Sequence, residues 1–156
     1  MKGRVRGLSR TVPDCCSADR CDRDGCKMSL VGAPPKRVVI DMDCRNHQVQ
    51  DDQNRCDYLF IGEENNTRWV APIELKSGRV KSVTAVRKQL EGGAKAADDW
   101  LKKSIPFQFI PVLVHGKTIQ KNDLRRLRSE IIQLRGKRRR IALLKCGDQL
   151  AKAFRP

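Results

Sequence analysis

Arg55 to Gly78 reads RCDYLFIGEENNTRWVAPIELKSG. Its first run, Asp57-Tyr58-Leu59-Phe60-Ile61, is rich in aromatic and branched side chains and reads as a strand. Gly62 to Thr67 (GEENNT) breaks the run with turn formers, and Trp69 to Lys76 (WVAPIELK) resumes the extended pattern. Alternation along the second strand sends Glu74 and Lys76 to one face and Ala71, Ile73 and Leu75 to the other. An acid and an amine two residues apart in a mainly apolar strand are unusual, because an inward charge has to be paired or bound to a metal. Asp57, at the start of the partner strand, supplies a second carboxylate close by.

Working outward, Arg37 to Asp43 (RVVIDMD) reads as the first core strand, with Asp41 and Asp43 on one face at its end as accessory acids or as the start of a polar loop. Val80 to Leu101 has the strongest helical pattern in the chain. Val80, Val83, Val86, Leu90, Ala94, Ala97 and Leu101 fall into one apolar stripe. Gly92-Gly93 in its middle costs about 1 kcal/mol per glycine relative to alanine, which points to a kink or a close backbone contact. Phe107 to His115 (FQFIPVLVH) reads as a strand covered on both faces, interrupted in its pairing at Pro111. His115 and His47 have no partner acid or nucleophile at a recognisable spacing, so no Ser-His-Asp or Cys-His arrangement is indicated.

Asp57 followed in the next strand by Glu74-Leu75-Lys76, then Ser77-Gly78, a long helix and another apolar strand, resembles the PD-(D/E)xK nuclease superfamily. The resemblance covers roughly Arg37 to His115 and rests on three chemistry-bearing positions. It implies a restriction-endonuclease-like fold, an α/β domain whose central mixed β-sheet is flanked by helices. It also implies metal-dependent hydrolysis of phosphodiesters by Asp57, Glu74 and Lys76. Asp57 and Glu74 would hold Mg²⁺ or Mn²⁺, with the Leu75 carbonyl as a further ligand, and Asp41 and Asp43 would be accessory acids. Several branches of the family place a glutamine on the following helix, here Gln89, although the tyrosine that often follows one turn on is replaced by Gly93. The alternative for Glu74 and Lys76 is a surface ion pair on an edge strand marked by Pro72.

Length and charge fit such a reading. The chain has 156 residues, enough for one α/β domain over 37–156 preceded by a cysteine-rich segment over 1–36. The net charge of +15 is uneven: residues 1–76 carry 13 basic and 12 acidic side chains, residues 77–156 carry 20 and 6. A basic half holds a polyanion while carboxylates hold a metal, so nucleic acid, DNA before RNA, is the expected partner. Lys81, Arg87 and Lys88 on the helix are candidate phosphate contacts, as is the cluster Arg135, Lys137, Arg138, Arg139 and Arg140. That cluster sits at the turn of a C-terminal basic hairpin, expected to pair Ile131–Arg135 with Arg140–Leu144. Asn122 or Asp123 is expected to cap the short helix before it. No dimerisation signature is legible, and a homodimer or larger complex stays open, since paired cuts need a dimer or two visits.

No apolar run approaches the ~20 residues of a membrane span, and the basic N-terminus lacks an apolar h-region, so no membrane partner and a cytoplasmic location are expected. Seven cysteines, an odd number without an export signal, argue against a disulfide framework. Cys15, Cys16, Cys21 and Cys26 fall within twelve residues and form a candidate zinc or iron–sulfur site, although not at the C-x2-C spacing of zinc knuckles. Two further readings follow: a non-catalytic nucleic-acid-binding module of the same fold, and a cysteine-rich, metal-stabilised adaptor for another protein.

Overall fold

The computed structural model describes Val5, Leu8, residues 17–44 and residues 54–155. Its frame is the pair β4 (Tyr58–Glu64) and β5 (Thr67–Lys76), antiparallel and joined at Asn65-Asn66. Both asparagines have positive φ, 51° and 64°, the left-handed turn that matches the twist of the flanking strands. β3 (Lys36–Asp41) pairs antiparallel with β4 on the outer side. On its other side β5 runs parallel to β6 (Gln108–Phe109) and β7 (Val112–His115). The two pieces are separated at Ile110-Pro111, where proline has no N–H to donate. Pro111 still accepts from the Ala142 amide at 2.9 Å. The outermost strand is β10 (Ala142–Lys145), parallel to β7, giving the order β10-β7-β5-β4-β3. A mixed sheet in an α/β fold is therefore present.

Helix α1 (Val83–Trp100) returns the chain from β5 to β6. Ser82 caps it, its hydroxyl accepting from the Ala85 amide at 3.1 Å. The apolar stripe of Val83, Val86, Leu90, Ala94 and Ala97 is buried on one face of the sheet with Leu59, Val70 and Leu113. The helix runs unbroken through Gly92-Gly93. A side chain on Gly92 would collide with the Asn54 backbone, and one on Gly93 with Cys56 Sγ and Pro72. The glycines thus serve close approach to the segment leading into Asp57.

Three expectations are corrected. First, β10 does not pair with β8 (Ile131–Leu134). Instead β8 pairs with β9 (Lys137–Arg140) through the two-residue turn Arg135-Gly136, both with positive φ, and the apolar run after it joins the central sheet. Second, Cys26 is disulfide-bonded to Cys146, 120 residues away. Cys44 is disulfide-bonded as well. The physical reason for the first bond is that β2 (Cys26–Met28) and the end of β10 lie side by side, with the Gly147 amide donating to the Lys27 carbonyl at 2.6 Å. Third, helix α2 (Lys121–Ser129) starts at Gln120 without a side-chain cap, rather than at Asn122 or Asp123.

Residues 17–36 pack against the same sheet. β1 (Cys21–Arg23) and β2 form a hairpin through Asp24-Gly25, both at positive φ. Cys21, Met28, Leu30 and Ala33 pack with Val39, Phe60, Ile73, Val112 and Leu144 on the sheet face opposite α1. Phe154 of α3 (Ala151–Phe154) closes that face, stacking on Trp69 at 4.7 Å between centroids. Burying each side chain of this size stabilises by ~1.5–3 kcal/mol. No helix among the described residues is long and apolar enough to cross a membrane.

Candidate active site

Asp57, Glu74 and Lys76 meet where the antiparallel ladder of β4 and β5 runs out. The Asp57 amide donates to the Ile73 carbonyl at 3.0 Å, and the Asp57 carbonyl accepts from the Met42 amide at 3.0 Å. Its side chain then takes over from the ladder: Oδ2 accepts the Leu75 amide at 2.8 Å. Glu74 stands in register with Leu113 of β7, which lies in the core beneath α1. Glu74 and Lys76 therefore point to the α1 face, and Leu75 to the other, as alternation requires. Lys76 Nζ is 3.1 Å from Glu74 Oε1.

Glu74 is only 3% exposed, which removes the surface ion-pair alternative, and its Oε2 is buried without a hydrogen-bond partner. Burial, and then the charge of Asp57, push its carboxyl up to about 8, against the opposing pull of Lys76. Asp57 is also pushed up by burial, partly offset by the Leu75 amide and by Arg23. A buried carboxylate oxygen with no donor is costly unless it takes a proton or a cation. Oxygen donors from two carboxylates suit a hard divalent ion such as Mg²⁺ or Mn²⁺, so these residues fit the group. Among the described residues no three His, Cys, Asp or Glu side chains converge as a ready metal cage. The remaining ligands would have to come from the Leu75 carbonyl, water or substrate.

Asp41 and Asp43 converge on Arg23 instead of on Glu74. Arg23 lies 3.0 Å from Asp41, 3.4 Å from Asp43 and 3.4 Å from Asp57. Its guanidinium rests over the Tyr58 ring at 4.9 Å, and the Tyr58 hydroxyl donates to the Asp22 carbonyl at 2.8 Å. Sequence reasoning missed Arg23. The signal was Asp24-Gly25 between two short runs, a hairpin turn that brings residue 23 back onto the sheet.

At the C-terminal ends of the parallel strands Lys76, His115 and Lys145 stand in register, so three basic side chains share the face that carries Glu74. His115 Nδ1 is 3.1 Å from the Lys117 carbonyl. Gln89 is half-buried on α1 with Oε1 unpartnered, and that atom ties it to neither carboxylate.

The phosphate candidates divide. Lys81, Lys88, Arg138, Arg139 and Arg140 are exposed, as are Arg125, Arg126 and Arg128 of α2. Lys137 lies over the Phe107 ring at 5.1 Å. Arg87 is held between Glu91 and Glu130 at 3.8 and 3.9 Å. Arg135 has a structural role: it binds the Asp98 carboxylate and the carbonyls of Asp98, Leu101 and Lys102, closing the C-terminal end of α1.

Of the four-thiol set, Cys21 and Cys26 lie among the described residues. Cys26 is taken up by its disulfide with Cys146, and burial pushes the Cys21 thiol up to about 12. Cys15, Cys16 and His47 lie outside the described residues. Cys56 is buried, its thiol raised by burial and donating to the Tyr58 carbonyl at 3.2 Å. Comparison with protein-family models, with curated proteins and with solved structures returns no match, so the site stands on its own geometry.

Proposed function

We propose that this chain hydrolyses phosphodiester bonds in nucleic acid, DNA in the first place, with a PD-(D/E)xK-like site made of Asp57, Glu74 and Lys76. The observation that carries the reading is the buried, donor-less Oε2 of Glu74 next to Asp57 and tied to Lys76 through its other oxygen. A bound Mg²⁺ or Mn²⁺ would supply Lewis-acid polarisation of a phosphate oxygen and a more acidic bound water. Asp57 and Glu74 would hold that ion. The Leu75 amide fixes Asp57, so its carboxylate needs little reorganisation on binding. Lys76, about a third exposed, reaches past Glu74 towards solvent, where it orients the attacking water and stabilises charge growing on the phosphorane. Lys145 beside it would provide further positive charge for the phosphate, and His115 a ring nitrogen within the same row.

Cleavage of supercoiled plasmid and of single-stranded DNA, with Mg²⁺, Mn²⁺ or EDTA, tests this reading. Wild type is expected to nick only with metal, and Asp57→Asn, Glu74→Gln and Lys76→Met are expected to abolish nicking. Equal nicking by the variants would remove the site from the reaction. A non-catalytic binding module is the second reading, favoured by the exposed arginines of α2 and β9. Salt-sensitive DNA binding without any cleavage would select it.

A further inference from the structure

Besides Lys76 on Glu74, Arg23 also reaches the carboxylates of the proposed site, and its contacts are unequal. Its terminal nitrogen sits 3.0 Å from Asp41 Oδ1 and 3.4 Å from Asp43 Oδ2. Its Nε faces Asp57 Oδ1 at 3.4 Å, yet that Nε is buried and makes no hydrogen bond. Asp57 Oδ2 is already taken by the Leu75 amide. Oδ1 is the oxygen that the backbone does not hold, and so the freer of the two for a metal ion, and a guanidinium stands against it. Side-chain exposure of Arg23 is 27%, with Asp41 and Asp43 more open at 32% and 51%, so a path outward exists on the side of those two acids. The hairpin carrying Arg23 is anchored: Cys26 stands opposite Arg23 in the β1–β2 register, and Cys26 is bonded to Cys146 at the end of β10.

We propose that Arg23 is a tethered competitor for the divalent cation: it shields Asp57 Oδ1 when no metal is bound, and Asp41 and Asp43 hold it aside when the ion enters. This rests on the cation reading of Asp57 and Glu74. The physical reason is charge. A fixed monocation a few ångströms from a divalent ion opposes its binding by kcal/mol-scale energies even at the effective dielectric of a protein surface. Without Arg23, Asp57 would keep the Leu75 amide and the nearby charge of Lys76 but lose the guanidinium that faces Oδ1, so the arginine adds charge compensation there through one weak contact that can break. Asp41 and Asp43 supply the alternative partner that makes the exchange reversible.

Mn²⁺ binding to the whole chain, measured by calorimetry or by loss of the free-ion electron paramagnetic resonance signal, tests the proposal apart from cleavage. Arg23→Gln is expected to bind Mn²⁺ about tenfold more tightly than wild type, Arg23→Lys to stay within about threefold, and Asp41→Asn/Asp43→Asn to bind about tenfold more weakly, because Arg23 then turns fully onto Asp57. The double variant changes two part-exposed acids and covers the case in which Arg23→Gln fails to fold. Unchanged or weaker binding in Arg23→Gln overturns the proposal, as does unchanged or tighter binding in the double variant. Glu74→Gln separates this from the reading beneath it. If wild type binds and Glu74→Gln does not, the metal site stands whatever Arg23 does. If neither wild type nor Arg23→Gln binds Mn²⁺, both ideas fall together.

Discussion

The ends of β4 and β5 and the β8–β9 hairpin both concentrate charge, and they are built on opposite terms. Glu74 is 3% exposed and its carboxyl is displaced to about 8, whereas Arg138, Arg139 and Arg140 stand in solvent. Exposed charges cost little and each contributes little, so they are individually replaceable. A buried acid costs several times more and persists only where something else, a proton or a cation, completes it. Chemistry is therefore sought at Glu74, and generic grip on a polyanion at the hairpin.

The largest effect expected from breaking this contrast is on turnover. Glu74→Gln should lower metal-dependent cleavage by about a hundred- to a thousandfold while DNA affinity stays within about twofold, since loss of a catalytic electrostatic contact costs roughly 3–4 kcal/mol. Gel-based single-turnover kinetics would show it. Next in size is the disulfide. Cys26→Ser/Cys146→Ser should lower stability by about 2–5 kcal/mol, because the bond closes a long loop; chemical denaturation reads this, and a midpoint equal to wild type would make the bond dispensable.

The stability of Glu74→Gln should move the other way. Burial and the charge of Asp57 push the folded Glu74 carboxyl up to about 8, from the 4.5 of a free side chain. Below pH 4.5 both states hold its proton and burial carries no charge penalty. Between pH 4.5 and 8 the unfolded state releases the proton first, so stability is lost as pH rises. A neutral glutamine avoids that loss. In EDTA the variant should be more stable than wild type at pH 8.5, by a margin on the order of a few kcal/mol, and equal to it near pH 4. A melting-temperature difference that does not vary with pH would contradict the burial argument. The smallest effect belongs to the hairpin. Arg138→Ala/Arg139→Ala/Arg140→Ala should weaken DNA binding by roughly tenfold at moderate salt and flatten the salt dependence by up to about three units of slope. At saturating DNA its cleavage rate should match wild type.

The two regions also differ in how far the sequence exposes them. Asp57, Glu74 and Lys76 were legible because alternation in β5 assigns faces one residue at a time, and Val83, Val86, Leu90, Ala94 and Ala97 reveal α1 by their period. The hairpin was legible as a turn but not in its pairing. A strand of Lys137-Arg138-Arg139-Arg140 has no apolar alternation, so the run Arg140–Leu144, with its apolar end, reads as the partner of Ile131–Arg135. The two-residue turn at Arg135-Gly136 forces Lys137 back against Leu134 and frees the later run for the sheet. Arg135 looked like one more phosphate contact because composition does not distinguish a solvated arginine from one that closes a helix end. Cys26 and Cys146 are 120 residues apart, and cysteine spacing gives no connectivity at that range. Arg23 reaches the acids only through tertiary packing of a three-residue strand, although Asp24-Gly25 marks the turn beside it.

The most direct test of the central claim is to measure DNA binding and Mn²⁺-dependent cleavage on the same samples of wild type and Glu74→Gln. Equal binding by both proteins, cleavage by wild type that EDTA stops, and no cleavage by Glu74→Gln are expected. Cleavage by Glu74→Gln at the wild-type rate, or binding by wild type that never leads to a cut under any divalent cation, would contradict the claim.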